Sequence, residues 1–150
     1  MRSTVAEHRG ARPLPNKTLM ASNAAKRPAS VLIIEDNPLT VELVADLLQT
    51  SGFQVYSAET AERGIELARE FLPTIVLLDY HLPGMDGPTA ARLLKADPAT
   101  RHLAIVGLTA DVKNGAAPLD GFDGLLAKPF ETRTFVASVE SFIRRASDAL

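Results

Sequence analysis

Asp79 closes the apolar run Ile75-Val76-Leu77-Leu78 and opens a polar turn, Tyr80-His81-Leu82-Pro83-Gly84-Met85-Asp86-Gly87. A carboxylate where a buried strand runs out stands at the rim of a sheet, within reach of ligands. Glu35 and Asp36 occupy the same kind of place after Val31-Leu32-Ile33-Ile34, Thr109 follows Leu103–Leu108, and Lys128 follows Asp123–Ala127. Three carboxylates in one crevice repel one another unless a cation offsets them. With no Cys and no clustered His, hard oxygen ligands favour Mg²⁺ over zinc, with Mn²⁺ the alternative ion. Lys128 adds a mobile point charge and the Thr109 hydroxyl can donate to an anion, so the pocket suits a phosphoryl group beside a carboxylate. The matching chemistry is nucleophilic attack by an Asp oxygen on phosphorus, giving an aspartyl phosphate while cations neutralise the transferring oxygens.

These residues converge only if the segments between them fold as β-α units. Asn37 reads as an N-cap with Pro38 at the first helical position, where a missing N–H costs nothing. Leu39, Leu43 and Leu47, flanked by Val44 and Leu48, recur at helical spacing, and Gly52 stops that helix. Phe53–Ser57 reads as a second strand, and Thr60 caps a helix whose Ala61, Ile65, Ala68 and Leu72 share a face, ended by Pro73. Thr74–Leu78 is the strand that leads to Asp79, and Asp86 caps a helix running to about Ala96. The last helix starts near Glu131 and buries Phe135, Val139 and Phe142. Between strands four and five, Asp111–Leu119 forms at most a short, marginal helix, because Gly115 and Pro118 break it. Five such units predict a doubly wound parallel α/β sheet with helices on both faces and ligands at the strands' carboxyl ends.

Composition excludes several classes. At 150 residues one core is the default, 46% hydrophobic and 23% charged residues are ordinary for a globular chain, and disulfides are ruled out. No apolar stretch nears the roughly 20 residues of a membrane-spanning helix, and no secretory signal is evident, so a reducing cytoplasm is expected. Residues 1–29 read as a disordered basic tail ahead of a domain over 30–147. The first thirty residues hold six Lys/Arg against Glu7 alone, so beneath the overall charge of −2, residues 31–150 carry −7. Scattered tail charges and an acidic body give no basis for DNA binding.

Together, Glu35-Asp36-Asn37, the Asp79…Pro83-Gly84-Met85-Asp86-Gly87 turn, Thr109-Ala110 and Lys128-Pro129-Phe130 resemble the receiver domain of two-component response regulators, from about Ser30 to Arg145. The resemblance implies a flavodoxin-like fold and an Asp79 that accepts phosphate from a histidine kinase or a histidine phosphotransfer protein. It implies that Asp36, Asp79 and the main-chain carbonyl of His81 bind Mg²⁺, with Glu35 acting through water. Thr109 becomes the switch hydroxyl, Lys128 the phosphate-pairing cation, and the Lys128–Pro129 bond one that is cis in the family. Ala110, Asp111, Leu125 and Pro129 fall at switch or tuning positions, and His81 and Asp111 at places that shape water access.

Two departures stand out. Leu125 replaces the usual switch aromatic, and the Thr109–Lys128 segment is about three residues short of the family's pattern. The expectation is a stand-alone regulator, not a turnover enzyme, that signals through an unidentified protein target or onward phosphotransfer. The alternative is a phosphorylation-independent adaptor with a decayed switch. A small Mg²⁺-dependent phosphatase lacks its second Asp, since His81 stands there, and a flavin carrier lacks a phosphate cradle, since Asp36-Asn37-Pro38 is acidic.

Overall fold

A computed structural model describes residues 28–110 and 121–148. The expected basic tail and the marginal helix at Asp111–Leu119 lie outside the described residues. Within them the chain runs β1 (Ser30–Ile34), α1 (Pro38–Thr50), β2 (Gln54–Ala58), α2 (Ala61–Phe71), β3 (Ile75–Asp79), α3 (Gly87–Ala96), β4 (Ala104–Thr109), β5 (Gly124–Ala127) and α4 (Thr132–Asp148). All strand pairs are parallel and the sheet order is β2-β1-β3-β4-β5. This is the doubly wound order in which β1 and β3 lie side by side at the switch point, where a crevice opens beyond the strand ends.

Alternation along each strand divides the core in two. Leu32, Ile34, Val76, Leu78 and Ile105 face α2 and α3, while Val31, Ile33, Ile75, Leu77, Val106 and Leu108 face α1 and α4. With both faces covered, β1, β3 and β4 are buried almost throughout, which explains their unbroken apolar runs. Gly64 lets α2 close onto the sheet: a Cβ there would meet the Ile34 side chain, with Cγ1 only 2.6 Å away.

Three capping expectations hold. The Asn37 side chain accepts from Leu39 N, Thr60 from Arg63 N and Asp86 from Thr89 N. The packing face of α1 matches expectation in part, since the expected Val44 and Leu48 are buried and Leu47 packs against the core. Val44, Ala45 and Leu48 are its buried residues, whereas Leu39 is 74% exposed and Leu43 41% exposed. Two apolar stripes overlap on this helix, and the docking angle on the sheet, not the period, selects Val41-Val44-Ala45-Leu48. Leu72 likewise leaves the predicted face of α2, because it ends the helix in a left-handed conformation at φ 47° and is exposed. The strands after the first begin one residue later than their hydrophobicity suggests; Phe53 N, for example, still bonds to Leu48 O at the end of α1.

Candidate functional site

Backbone hydrogen bonds just past the strand ends hold the site residues in place. Glu35 N donates to Ala58 O at 3.0 Å, Tyr80 N to Leu108 O at 2.9 Å and Lys128 N to Thr109 O at 2.9 Å. Each residue is thus fixed by a neighbouring strand, which brings positions 93 apart in sequence into contact. The turn after Asp79 folds back on itself: His81 N donates to Asp79 Oδ1 at 3.2 Å and Gly87 N to Tyr80 O at 3.1 Å. Gly87 is required there by space. A Cβ would lie 2.8 Å from Tyr80 Cα and closer still to the Asp79 carbonyl oxygen, and both are backbone atoms that cannot swing away.

Glu35, Asp36 and Asp79 each offer a carboxylate oxygen within 4.8 Å of the others. Glu35 and Asp79 are buried, and Asp36 is exposed at the mouth. Lys128 Nζ lies 2.9 Å from Glu35 Oε1 and 3.4 Å from Asp79 Oδ1, and Glu35 Oε2 accepts from Asn37 N at 3.1 Å. Burial, followed by the charge of Asp79, pushes the Glu35 carboxyl above its usual range despite the hydrogen bonds from Lys128 and Asn37. Burial alone would lower the Lys128 pKa; the Glu35 hydrogen bond and the two carboxylate charges outweigh it and raise the value. Among the described residues, Lys128 is one cation against three clustered acids, which leaves an excess of negative charge. That excess and the all-oxygen donor set fit a hard divalent ion such as Mg²⁺.

Of the other predicted residues, Thr109 is buried at the end of β4 and Ala110 is exposed beside it. His81 is exposed, and its ring meets that of Tyr80 edge-on at 5.1 Å. Lys128–Pro129 is a cis peptide bond. Asp111 lies outside the described residues. Leu125 is half-buried and packs with the α2–α3 core, where Gly107 on β4 makes room for it and for Phe122. Sequence reasoning missed Phe122, whose ring stacks on Tyr80 at a centroid distance of 5.5 Å. An aromatic ring therefore does sit next to the residue after Asp79, although it comes from position 122, just before β5, and not from position 125. Gly107 inside an otherwise apolar strand was the available signal, since a strand glycine marks close approach of a neighbour.

A doubly wound parallel sheet with acids just past β1 and at the end of β3 and a lysine just past its edge strand β5 defines a receiver-type signalling class. The chain belongs to the response regulator receiver domain family, whose family model matches residues 31–140. It is 30% identical over 119 residues to the polar-differentiation response regulator DivK of Brucella anthropi, covering 77% of this chain and 97% of that protein. Among solved structures, a sensor protein from Polaromonas sp. JS666 superposes with a TM-score of 0.72 at 27% identity, covering 81% of this chain and 99% of the other. The receiver domain of the sensor histidine kinase PA1611 from Pseudomonas aeruginosa PAO1 superposes with a TM-score of 0.71 at 25% identity, covering 78% and 98%. That structure carries a magnesium ion coordinated in the active-site cleft.

Proposed function

We propose that Asp79 accepts a phosphoryl group from a histidine kinase or a histidine phosphotransfer protein, and that the chain then acts on a protein target or passes the phosphate on. The observation that carries this reading is Lys128 Nζ held between Glu35 and Asp79, within a cluster of three carboxylates at the strand ends. A carboxylate oxygen of Asp79 attacks phosphorus, the P–N bond to the donor imidazole breaks, and the nitrogen keeps that electron pair. Lys128 then exchanges its carboxylate contact for a phosphoryl oxygen, and the Thr109 hydroxyl donates to another. Asp36, Asp79 and the His81 carbonyl would hold Mg²⁺, with Glu35 acting through water. When bound, the ion neutralises charge on the acids and on the phosphoryl oxygens.

Leu39, 74% exposed two residues beyond Asn37, is placed to meet an incoming donor at the mouth of the site. The absence of Cys suits work in a reducing cytoplasm, and no described helix is long and apolar enough to cross a membrane. The second reading, a phosphorylation-independent adaptor, is favoured by Leu125, which fills space beside Gly107 in place of a switch aromatic. Acetyl phosphate with Mg²⁺ separates the two. The proposal requires an acid-labile mass increase of one phosphoryl group in wild type and none in Asp79→Asn; no increase in wild type would leave the adaptor.

A further inference from the structure

We propose that a cleft at the opposite end of the sheet binds a nucleotide. The cleft encloses about 330 Å³ at the amino-terminal edge of β4. That lies within the range of small-molecule sites, roughly 300–1,000 Å³. Its inner wall is apolar, formed by buried Leu103 and Ala104 and half-buried Phe142 and Ala146, and its rim carries Lys95, Arg101, Asp123 and Arg145.

The charges on that rim do not cancel. Lys95 Nζ directs its donors to Asp123 Oδ2 at 2.9 Å, Leu103 O at 3.0 Å and Arg101 O at 3.3 Å. The same Asp123 oxygen accepts from Ile105 N at 2.8 Å. Lys95 and Asp123 therefore neutralise each other within a clasp that joins α3, β4 and the residue just before β5. Arg101 and Arg145 remain, both exposed and neither with a carboxylate partner among the described residues. This local positive charge stands out on a body, residues 31–150, that carries −7.

Arg145 Cζ lies 4.8 Å from the centroid of the Phe142 ring, so its guanidinium rests on an aromatic face. A stacked guanidinium presents donors to a phosphate with less freedom to lose, and its plane also supports a flat ring. Two arginines at the mouth of an apolar cavity suit a ligand with a phosphate at one end and a planar apolar part at the other. A bare anion would leave the inner wall unused, and a helical partner would not fit the volume. The cleft begins at Ala104 and the acidic site ends at Thr109, about 16 Å apart at roughly 3.3 Å per residue, so both can be filled together.

The test is calorimetric titration of the full chain, without Mg²⁺ and at near-physiological salt, with GDP, ADP, inorganic phosphate and hexaglutamate. At least one nucleotide should saturate at 1:1 below about 1 mM. Arg101→Gln and Arg145→Gln should each weaken it by about fivefold or more, the loss of one charge-assisted contact. Asp36→Asn should leave it unchanged, and inorganic phosphate should bind at least about tenfold more weakly. In wild type, backbone amide shifts should move at Leu103, Ala104 and Ala146, a readout that needs no variant to fold. No saturation by either nucleotide, affinity insensitive to both arginines, or no shifts at those amides would overturn the proposal. Inorganic phosphate binding as tightly, or hexaglutamate more tightly, would also overturn it, leaving a plain anion site or a peptide site respectively.

Discussion

Replacing Asp36 by Asn should stabilise the metal-free protein and remove its response to Mg²⁺. Asp36 sits within 4.8 Å of two other carboxylates, while the ion pairs of Lys128 go to Glu35 and Asp79. It makes no hydrogen bond or ion pair with the described residues, so its removal relieves repulsion and forfeits little attraction. At 4.8 Å a pair of like charges repels by about 3.5 kcal/mol at an effective dielectric constant near 20, and about 0.9 kcal/mol near 80. Asp36 is exposed, which places its two repulsions toward the lower figure and the expected gain at about 1–2 kcal/mol. Urea unfolding in EDTA, followed by far-UV circular dichroism because the chain has no Trp, should show a higher midpoint at unchanged slope. An ion at ten times its dissociation constant should add about 1.4 kcal/mol to wild type and far less to Asp36→Asn, so that Mg²⁺ erases the variant's advantage. An Asp36→Asn protein no more stable than wild type in EDTA, or one that gains as much from Mg²⁺, would refute the account of three acids in uncompensated repulsion.

Other outcomes follow from the same geometry. Gly87→Ala should cost about 1–3 kcal/mol in urea unfolding and slow phosphorylation by acetyl phosphate, because the new Cβ must push the backbone at Asp79 and Tyr80. Asp86→Ala should cost about 1 kcal/mol at pH 7 through loss of the α3 cap, with a smaller cost from Asp86→Asn. The raised pKa of Glu35 sets a pH dependence: its protonated form stabilises the fold below the ordinary value of 4.5, and that stability is lost as pH rises through the raised folded value. Melting temperatures in EDTA, compared between wild type and Glu35→Gln, should therefore diverge as pH rises through that window, with wild type losing more. Leu39→Glu should leave stability within about 0.5 kcal/mol while slowing transfer from a phosphorylated histidine donor, since the side chain is exposed.

The parallel sheet and the positions of the acids were legible in the chain because buried strands declare themselves. Ile75–Leu78 and Val31–Ile34 are unbroken apolar runs, and both faces of each are covered. Caps were legible for a local reason: Asn37, Thr60 and Asp86 bond to amides two or three residues away. The inward face of α1 was legible only in part: Val44, Leu47 and Leu48 pack as their spacing suggests, whereas Leu39 and Leu43, which satisfy the same period, stay exposed. Nor could spacing reveal that Phe122 stacks on Tyr80, or that Lys95 and Asp123 form a clasp across 28 positions. Those pairings depend on how helices seat on a twisted sheet, a balance of many distant contacts that no local segment encodes. The residue types and their order thus announce the chemistry, while the tertiary structure determines the distances at which Lys128 meets Glu35 and Asp79.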